Sequence, residues 1–527
     1  GGVTFNINAD YTESISDSVL ILTATGTVSD PIIFQKSGVG VNPLITRTDA
    51  GTKATSSIGG QGDAVIIIQG SDYVTFDGID VAASQSGIEY GYYLRKANGT
   101  NGCKYITIKN AVIDLNKGTS AFVVGIYSSN NSDTSLVSSA TGITVTSTDG
   151  RNEFVTITGN TIQDVFSTIV LRGFNHTTAP YDFYDQNFVV GQNGAGNILQ
   201  NYAGNTAQAA YGVYAIYHNN LDVSYNTINN TANGGSNFTS TGYGIFHSTS
   251  SAATGTFNNN IINLSATTGQ LRAITAGASG IGTIIANNNT ITLSQAGTTE
   301  ASGIVTQNLS NGSTVTMNYN SISYGTFAST SQSNMFANFG NAVNFSFVGN
   351  QNNGVVNKTG ASGNLYCLNG GGSSPNANEI IANNTFDSIT IAGSSTLYGI
   401  HVSTASTATR QAYNNTISDF TGGTGTTYGL SFQTCSSQQV YNNSVSNITA
   451  GGTTYGLYFS GNNPIVYNNT VSNITTAGQN LAGIYDQGAQ TTNCYKNQVF
   501  NLTSTYSGAS TMTVCGIQVL SGTVGNY

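Results

Sequence analysis

Apolar residues alternate with small polar ones along most of this chain, in short runs punctuated by Asn and Gly. In Ile465-Val466-Tyr467-Asn468-Asn469-Thr470-Val471-Ser472-Asn473-Ile474 the alternation turns Val466, Val471 and Ile474 to one side, facing inward. A period of two is the signature of strands. The Thr, Val, Ile and Tyr that fill these runs favour strands, whereas Asn and Gly favour turns. The pattern predicts many strands of about three to five residues, joined by turns.

The runs repeat. An Asn, a small or β-branched residue and an apolar residue recur as Asn289-Thr290-Ile291, Asn384-Thr385-Phe386, Asn415-Thr416-Ile417, Asn443-Ser444-Val445 and Asn469-Thr470-Val471. The Asn stands at 197, 226, 260, 289, 320, 350, 384, 415, 443, 469 and 497, ten steps over 300 residues and so a mean period of 30. Asn350 is the weakest member, because Gln351-Asn352 follows it. A second phrase, Tyr398-Gly399-Ile400, Tyr428-Gly429-Leu430 or Tyr455-Gly456-Leu457, follows the Asn at 13 to 15 residues. Fainter copies stand at Asn110-Ala111-Val112, with Gly125-Ile126-Tyr127, and at Asn160-Thr161-Ile162.

Two marks at fixed separation inside a short period describe a solenoid, in which each coil buries its apolar face against its neighbours. The strand-forming composition predicts an all-β fold, a right-handed parallel β-helix of about 30 residues per coil with an N-terminal cap. An Asn at the same turn of every coil then stacks on its copies, and the side-chain amides hydrogen-bond along the stack. The Gly of the second phrase is expected to supply a bend or a positive φ. A β-propeller fits less well, since its blades run about 40–50 residues and this chain has no Trp.

Residues 1–62 differ in texture and read as N-terminal capping coils, with 63–527 as the helix body. Two insertions are expected, near 128–151 and at 173–186, and solenoid insertions map to loops on one face. The last residues, Ser521-Gly522-Thr523-Val524-Gly525-Asn526-Tyr527, resemble the stretch from Ser460 to Tyr467 that precedes an Asn phrase. The expectation is that the polypeptide continues beyond 527.

Composition narrows the function classes. The net charge is −9, only 7% of residues are charged, and the 14 Lys and Arg form no basic cluster, which argues against a nucleic-acid partner. No stretch of eighteen apolar residues predicts a membrane span in this segment. Gly1-Gly2-Val3-Thr4-Phe5 lacks the regions of a secretory signal, in keeping with a processed export product. Five Cys with no C-x-x-C pair read as buried thiols, with a Cys494–Cys515 bridge as the one pairing considered.

Candidate chemistry is sparse. Tyr413, Tyr441, Tyr467 and Tyr495 precede successive Asn phrases and alternate outward, predicting a ladder of rings at ~4.8 Å, suited to sugar rings through their apolar faces. The alternative enzymatic region holds Lys109, Arg151, Arg172, Asp182 and Asp185. Lys104, Lys109, Asp114, Arg151, Glu153, Asp164 and Arg172 together read as a solvated surface. His218 and His247 stand 29 residues apart, one coil, and are expected to stack on neighbouring rungs. No metal or other cofactor is expected.

The phrases Tyr413-Asn414-Asn415-Thr416-Ile417-Ser418 and Tyr455-Gly456-Leu457-Tyr458-Phe459, with the opening Pro31-Ile32-Ile33-Phe34-Gln35-Lys36-Ser37-Gly38, resemble right-handed β-helix repeat proteins secreted by Bacteroidota. Many of these are surface proteins and adhesins exported by the type IX secretion system. The resemblance covers nearly the whole chain and rests on repeat-structural motifs. It implies an extracellular or cell-surface location, contact with the secretion machinery, and glycans or other surface proteins as partners. The polygalacturonase signatures Asn-Thr-Asp, Gly-His-Gly and Arg-Ile-Lys are absent. The preferred reading is a non-enzymatic β-helix segment of a large surface protein, an adhesin or stalk. The alternatives are a polysaccharide lyase or glycoside hydrolase, and a structural subunit of an extracellular filament or lattice.

Overall fold

The computed structural model describes the chain except residues 17–18, 52–61, 121, 135–141, 205–206, 250, 373, 375, 404–406, 462, 489–491, 521–523 and 526–527. It comprises two compact units, Gly1–Gly269 with Ile274–Ser279, and Gln270–Ala273 with Gly280–Tyr527. Each is a parallel β-solenoid. Among the described residues the helical content is the 3-10 turn Thr148–Gly150.

Among the described residues most coils contribute one strand to each of three parallel sheets, and two coils split the second-sheet strand into Ser321–Ser323 with Gly325–Phe327 and Gln351–Asn352 with Val356–Lys358. In the second unit the first sheet includes Thr409–Tyr413, Ser437–Tyr441, Pro464–Tyr467 and Thr492–Tyr495. The second includes Thr416–Gly422, Ser444–Ala450, Thr470–Thr476 and Gln498–Ser504. The third includes Leu397–Ser403, Thr427–Gln433, Thr454–Phe459 and Asn480–Asp486. Equivalent repeat positions pair in register, as Tyr441 with Tyr467, Val445 with Val471 and Leu430 with Leu457. Val466, Val471 and Ile474 are fully buried, as their alternation predicts.

The first unit has the same plan. Its opening strands Val3–Asn8, Thr12–Ile15 and Leu20–Leu22 pair in parallel with Ile32–Ser37, Leu44–Arg47 and Ala64–Gln69. Phe5, Phe34 and Phe76 stack at 4.7 and 4.9 Å along this end of the core. Around the insertion near 128–151, Thr146 N–H donates to the Gly99 carbonyl and Gly102 N–H to that of Asp149, both at 2.9 Å; its middle, 135–141, lies outside the described residues. Of the closing phrase at 521–527, only Val524 and Gly525 are described, paired with Thr492 and Asn493.

The Asn phrase forms the expected ladder. In the second unit each Nδ2 donates to the next Oδ1, from Asn289 through Asn320, Asn350, Asn384, Asn415, Asn443 and Asn469 to Asn497, at 2.8–3.1 Å. The first unit carries Asn160, Asn197, Asn226 and Asn260 in the same way at 2.9–3.2 Å. Asn350, the weakest copy by sequence, is a full member. Asn110 is not: Ala111 takes the ladder position, its N–H donating to Asn160 Oδ1 at 3.0 Å, and Asn110 sits one residue before it.

That preceding position explains the Asn-Asn doublets. Asn288, Asn383, Asn414, Asn442 and Asn468 all have φ between 54° and 57°, the left-handed region that Asn tolerates better than most residues. The first Asn turns the corner and the second bonds along the ladder.

The Gly of the second phrase does a different job from the one expected. Gly399, Gly429, Gly456 and Gly483 do not have positive φ; they face the core where there is no room for a side chain. A Cβ on Gly456 would lie 2.5 Å from Val471 Cγ1 and 2.6 Å from the Gly483 carbonyl oxygen. Gly456→Ala is therefore expected to destabilise by about 1–3 kcal/mol through overpacking, seen as a lower urea midpoint with an unchanged slope.

Candidate functional site

The Tyr ladder is present, and its geometry changes what it can do. Tyr413, Tyr441, Tyr467 and Tyr495 stand half-buried on the outside of the first sheet, with centroids 5.0, 4.9 and 5.1 Å apart and planes within 9°. At that spacing each inner ring covers the faces of its neighbours. The ladder presents ring edges and hydroxyls outward, so it does not offer the apolar faces that a sugar would stack upon.

A second aromatic cluster lies on the third sheet of the same unit, built from the Tyr of the Tyr-Gly phrase. Tyr366, Tyr398 and Tyr428 stack at 4.4 and 4.8 Å with planes 4° and 2° apart. Beyond Tyr428 the order is mixed: Tyr455 still stacks on it at 5.4 Å and Tyr485 on Tyr458 at 5.5 Å, but Tyr458 meets Tyr428 at 79°, Tyr455 meets Tyr485 at 45°, and Tyr485 lies opposite Gln518 instead of another ring. Burial raises the Tyr398 and Tyr428 hydroxyls above their ordinary range and pushes Tyr455 up to about 12. His401 is 4.8 Å from Tyr398 and 3.1 Å from Ser431 Oγ; burial, with Arg410 nearby, lowers it to about 4. The second phrase marks this column in the sequence, but Tyr458 and Tyr485 lie off the repeated position, so the cluster is visible only in three dimensions.

The predicted enzymatic residues are held in structural pairings. Lys109 pairs with Asp77 at 3.0 Å. Arg151 pairs with Glu153 at 2.9 Å and donates to the backbone carbonyl of Asp182 at 2.7 Å. Arg172 lies over the Tyr214 ring at 5.8 Å, beside the stacked Tyr211, Tyr243 and Phe246. Asp185 is fully buried against Lys96. The solvated-surface reading fails for Glu153, which is buried, because it accepts from Arg151, Gln186 and Asn187 together.

His218 and His247 do not stack on each other as expected: His247 is in register with Ala215 on the third sheet, and His218 with Asp185. Both are buried, and a ring nitrogen of His247 lies 3.1 Å from the His218 carbonyl oxygen. All five Cys are free, four of them buried. Cys494 belongs to the first sheet and Cys515 to the third, so the bridge considered between them does not form.

One cleft has titratable walls. On the second sheet of the first unit a cavity of about 520 Å³ is lined by Asp80, Asp114 and Asp164 with Leu44, Ala82 and Val112. Asp114 stands in register with Ala82 and Gln163, so Asp80 and Asp114 are one coil and two positions apart, a diagonal of roughly 8 Å. Asp80 accepts from Asn42 at 2.8 Å and from the Val112 N–H at 2.7 Å. Burial raises the Asp80 and Asp164 carboxyls, and Lys117 opposes the rise at Asp164. Among the described residues no group of three His, Cys, Asp or Glu converges on a metal position, and no helix is long and apolar enough to cross a membrane.

No protein-family model and no curated protein matches this chain. Among solved structures, the chain is similar to the glycoside hydrolase family 136 lacto-N-biosidase from Eubacterium ramulus, in its selenomethionine and native forms. Identity is 10% in both, with TM-scores of 0.29 and 0.28 over 89% and 84% of this chain. It spans 62% of the length of that enzyme. A polysaccharide lyase family 6 alginate lyase matches at 9% identity and a TM-score of 0.18, over 98% of this chain and 96% of the lyase. Likeness at this level assigns no chemistry to the present chain.

Proposed function

We propose that this chain is a non-catalytic, extracellular β-solenoid segment of a surface protein that contacts carbohydrate. The observation that carries the reading is the change of ring orientation at Tyr455, Tyr458 and Tyr485, where edge-on and tilted contacts interrupt the parallel stack and no ring lies opposite Tyr485 on the next coil. Apolar sugar faces pack on uncovered aromatic faces, and the phenolic hydroxyls supply polar contacts at the rim. Affinity electrophoresis in gels containing neutral and acidic polysaccharides tests it. Retardation by at least one polymer is expected, lost in Tyr458→Ala/Tyr485→Ala and kept in Tyr441→Ala, whose ring lies inside the closed ladder. Absence of retardation across the panel, or retardation untouched by the double change, refutes the assignment.

A second reading, carbohydrate cleavage, is favoured by one observation. Asp80 and Asp114 line one cleft on neighbouring coils, the pair of carboxyls that glycoside hydrolysis requires, and burial favours the protonated form of Asp80. Release of reducing ends from a polysaccharide panel, abolished by Asp114→Asn, would support this reading and displace the first.

A further inference from the structure

A buried polar row in the first unit has no part in either surface. Lys96 Nζ lies 2.7 Å from Asp185 Oδ1, and both side chains are completely shielded from solvent. Oδ1 also accepts the Asn152 backbone N–H at 2.8 Å, whereas Oδ2 has no hydrogen-bond partner. On the adjacent coil His218 stands in register with Asp185, packs edge-on against Phe188 at 4.6 Å, and has no partner for either ring nitrogen. An isolated buried ion pair repays its desolvation only when the remaining polar atoms are satisfied, and here three are not.

We propose that Lys96 and Asp185 condense to an intramolecular amide, a covalent cross-link between coils that the backbone joins only through 89 residues. A proton first passes from the ammonium to Oδ2, the carboxylate oxygen without a partner, giving amine and acid. Burial favours this neutral form of Asp185, since desolvation raises its carboxyl more than Lys96 lowers it. The Nζ lone pair attacks Cγ while Oδ1 stays on the Asn152 N–H. The Asn152 N–H stabilises the oxyanion at Oδ1, as a preorganised donor does in acyl transfer. The Cγ–Oδ2 bond breaks, and Oδ2 leaves as water with its own proton and one from Nζ. No oxidant or co-reactant is needed. The neutral imidazole of His218 accepts the amine proton at one nitrogen and passes it toward Oδ2. Fixed approach in a dry core replaces the activation that solution amide formation requires.

Intact-mass spectrometry of the denatured full chain tests the proposal without any variant. The expected mass is below that of the sequence by one water, and fragment spectra should join the peptide holding Lys96 to the one holding Asp185. Lys96→Ala and Asp185→Ala should each show their full sequence mass. A wild-type chain of full mass overturns the proposal, as does a water loss found in linear peptides only. His218→Phe, which keeps the ring volume, should leave the cross-link incomplete; complete cross-linking in that variant overturns the role given to His218 and leaves the amide standing.

Discussion

Replacing Asn443 by alanine is expected to destabilise the second unit by roughly 3–5 kcal/mol, among the largest effects of any single change in this chain. Asn443 Oδ1 accepts the Asn415 backbone N–H at 3.0 Å and its Nδ2 at 2.9 Å. Its own Nδ2 donates to the carbonyls of Ala412 and Tyr441 at 3.0 and 3.1 Å and to Asn469 Oδ1 at 2.9 Å. Alanine removes all of these and strands the Asn415 N–H and the Ala412 carbonyl in the core, each at about 1–3 kcal/mol. The internal comparison is the exposed ladder of Asn447, Asn473 and Asn501, linked at 3.0 and 2.9 Å. Asn473→Gly keeps the left-handed turn and loses only solvated bonds, so about 1 kcal/mol or less is expected. Urea midpoints of the two variants measure the difference. Equal shifts would mean that the buried ladder contributes no more than the exposed one.

Lowering the pH from neutral toward 4 is expected to weaken the first unit as its two buried imidazoles take up protons. Burial lowers His247 from 6.5 to about 4 and lowers His218 further, with the charge of His247 adding to the effect. A folded-state pKa below the unfolded value means that the unfolded chain binds more protons between the two. Stability is therefore full above about pH 6.5 and falls as pH drops toward 4. For His247 alone the loss is on the order of 3 kcal/mol. The raised carboxyls of Asp72, Asp80, Asp164 and Asp222 act in the opposite sense, gaining stability as they protonate, and partly offset the loss at the acid end of the window. Urea midpoints at pH 7.5, 6.0, 5.0 and 4.5 give the slope. His218→Phe/His247→Leu should flatten it whatever the variant's baseline stability. A wild-type midpoint constant from pH 7 to 4.5 would rule out the buried neutral imidazoles as the cause.

Much of the repeat is legible in the residues, and the places where it misleads have physical causes. The inward Val466, Val471 and Ile474 are spaced by five and three residues, so the alternation changes phase at the left-handed Asn468 and Asn473 that separate them. The Asn-Asn doublet does not say which Asn bonds; that depends on which one takes the left-handed corner. At Asn110-Ala111 the corner residue carries the Asn and the ladder position does not. The conserved-looking period of Gly456 suggests backbone freedom, yet the cause is the approach of Val471 from another sheet. Periodicity placed the Tyr413–Tyr495 column outward, but the spacing that makes it a ladder also closes its faces.

Taken alone, the sequence determined what recurs once per coil: short strands, the Asn ladder and the Tyr413–Tyr495 column. Equal periods put equal residues in register, so the parallel pairing follows. Only the tertiary structure decided the contacts that break the period, namely Lys96 with Asp185, Asp185 with His218, the cleft of Asp80, Asp114 and Asp164, and the tilted rings of Tyr455, Tyr458 and Tyr485. These depend on how many residues each corner and insertion contains. That count sets how far a side chain is carried across neighbouring coils, and no repeat unit encodes it.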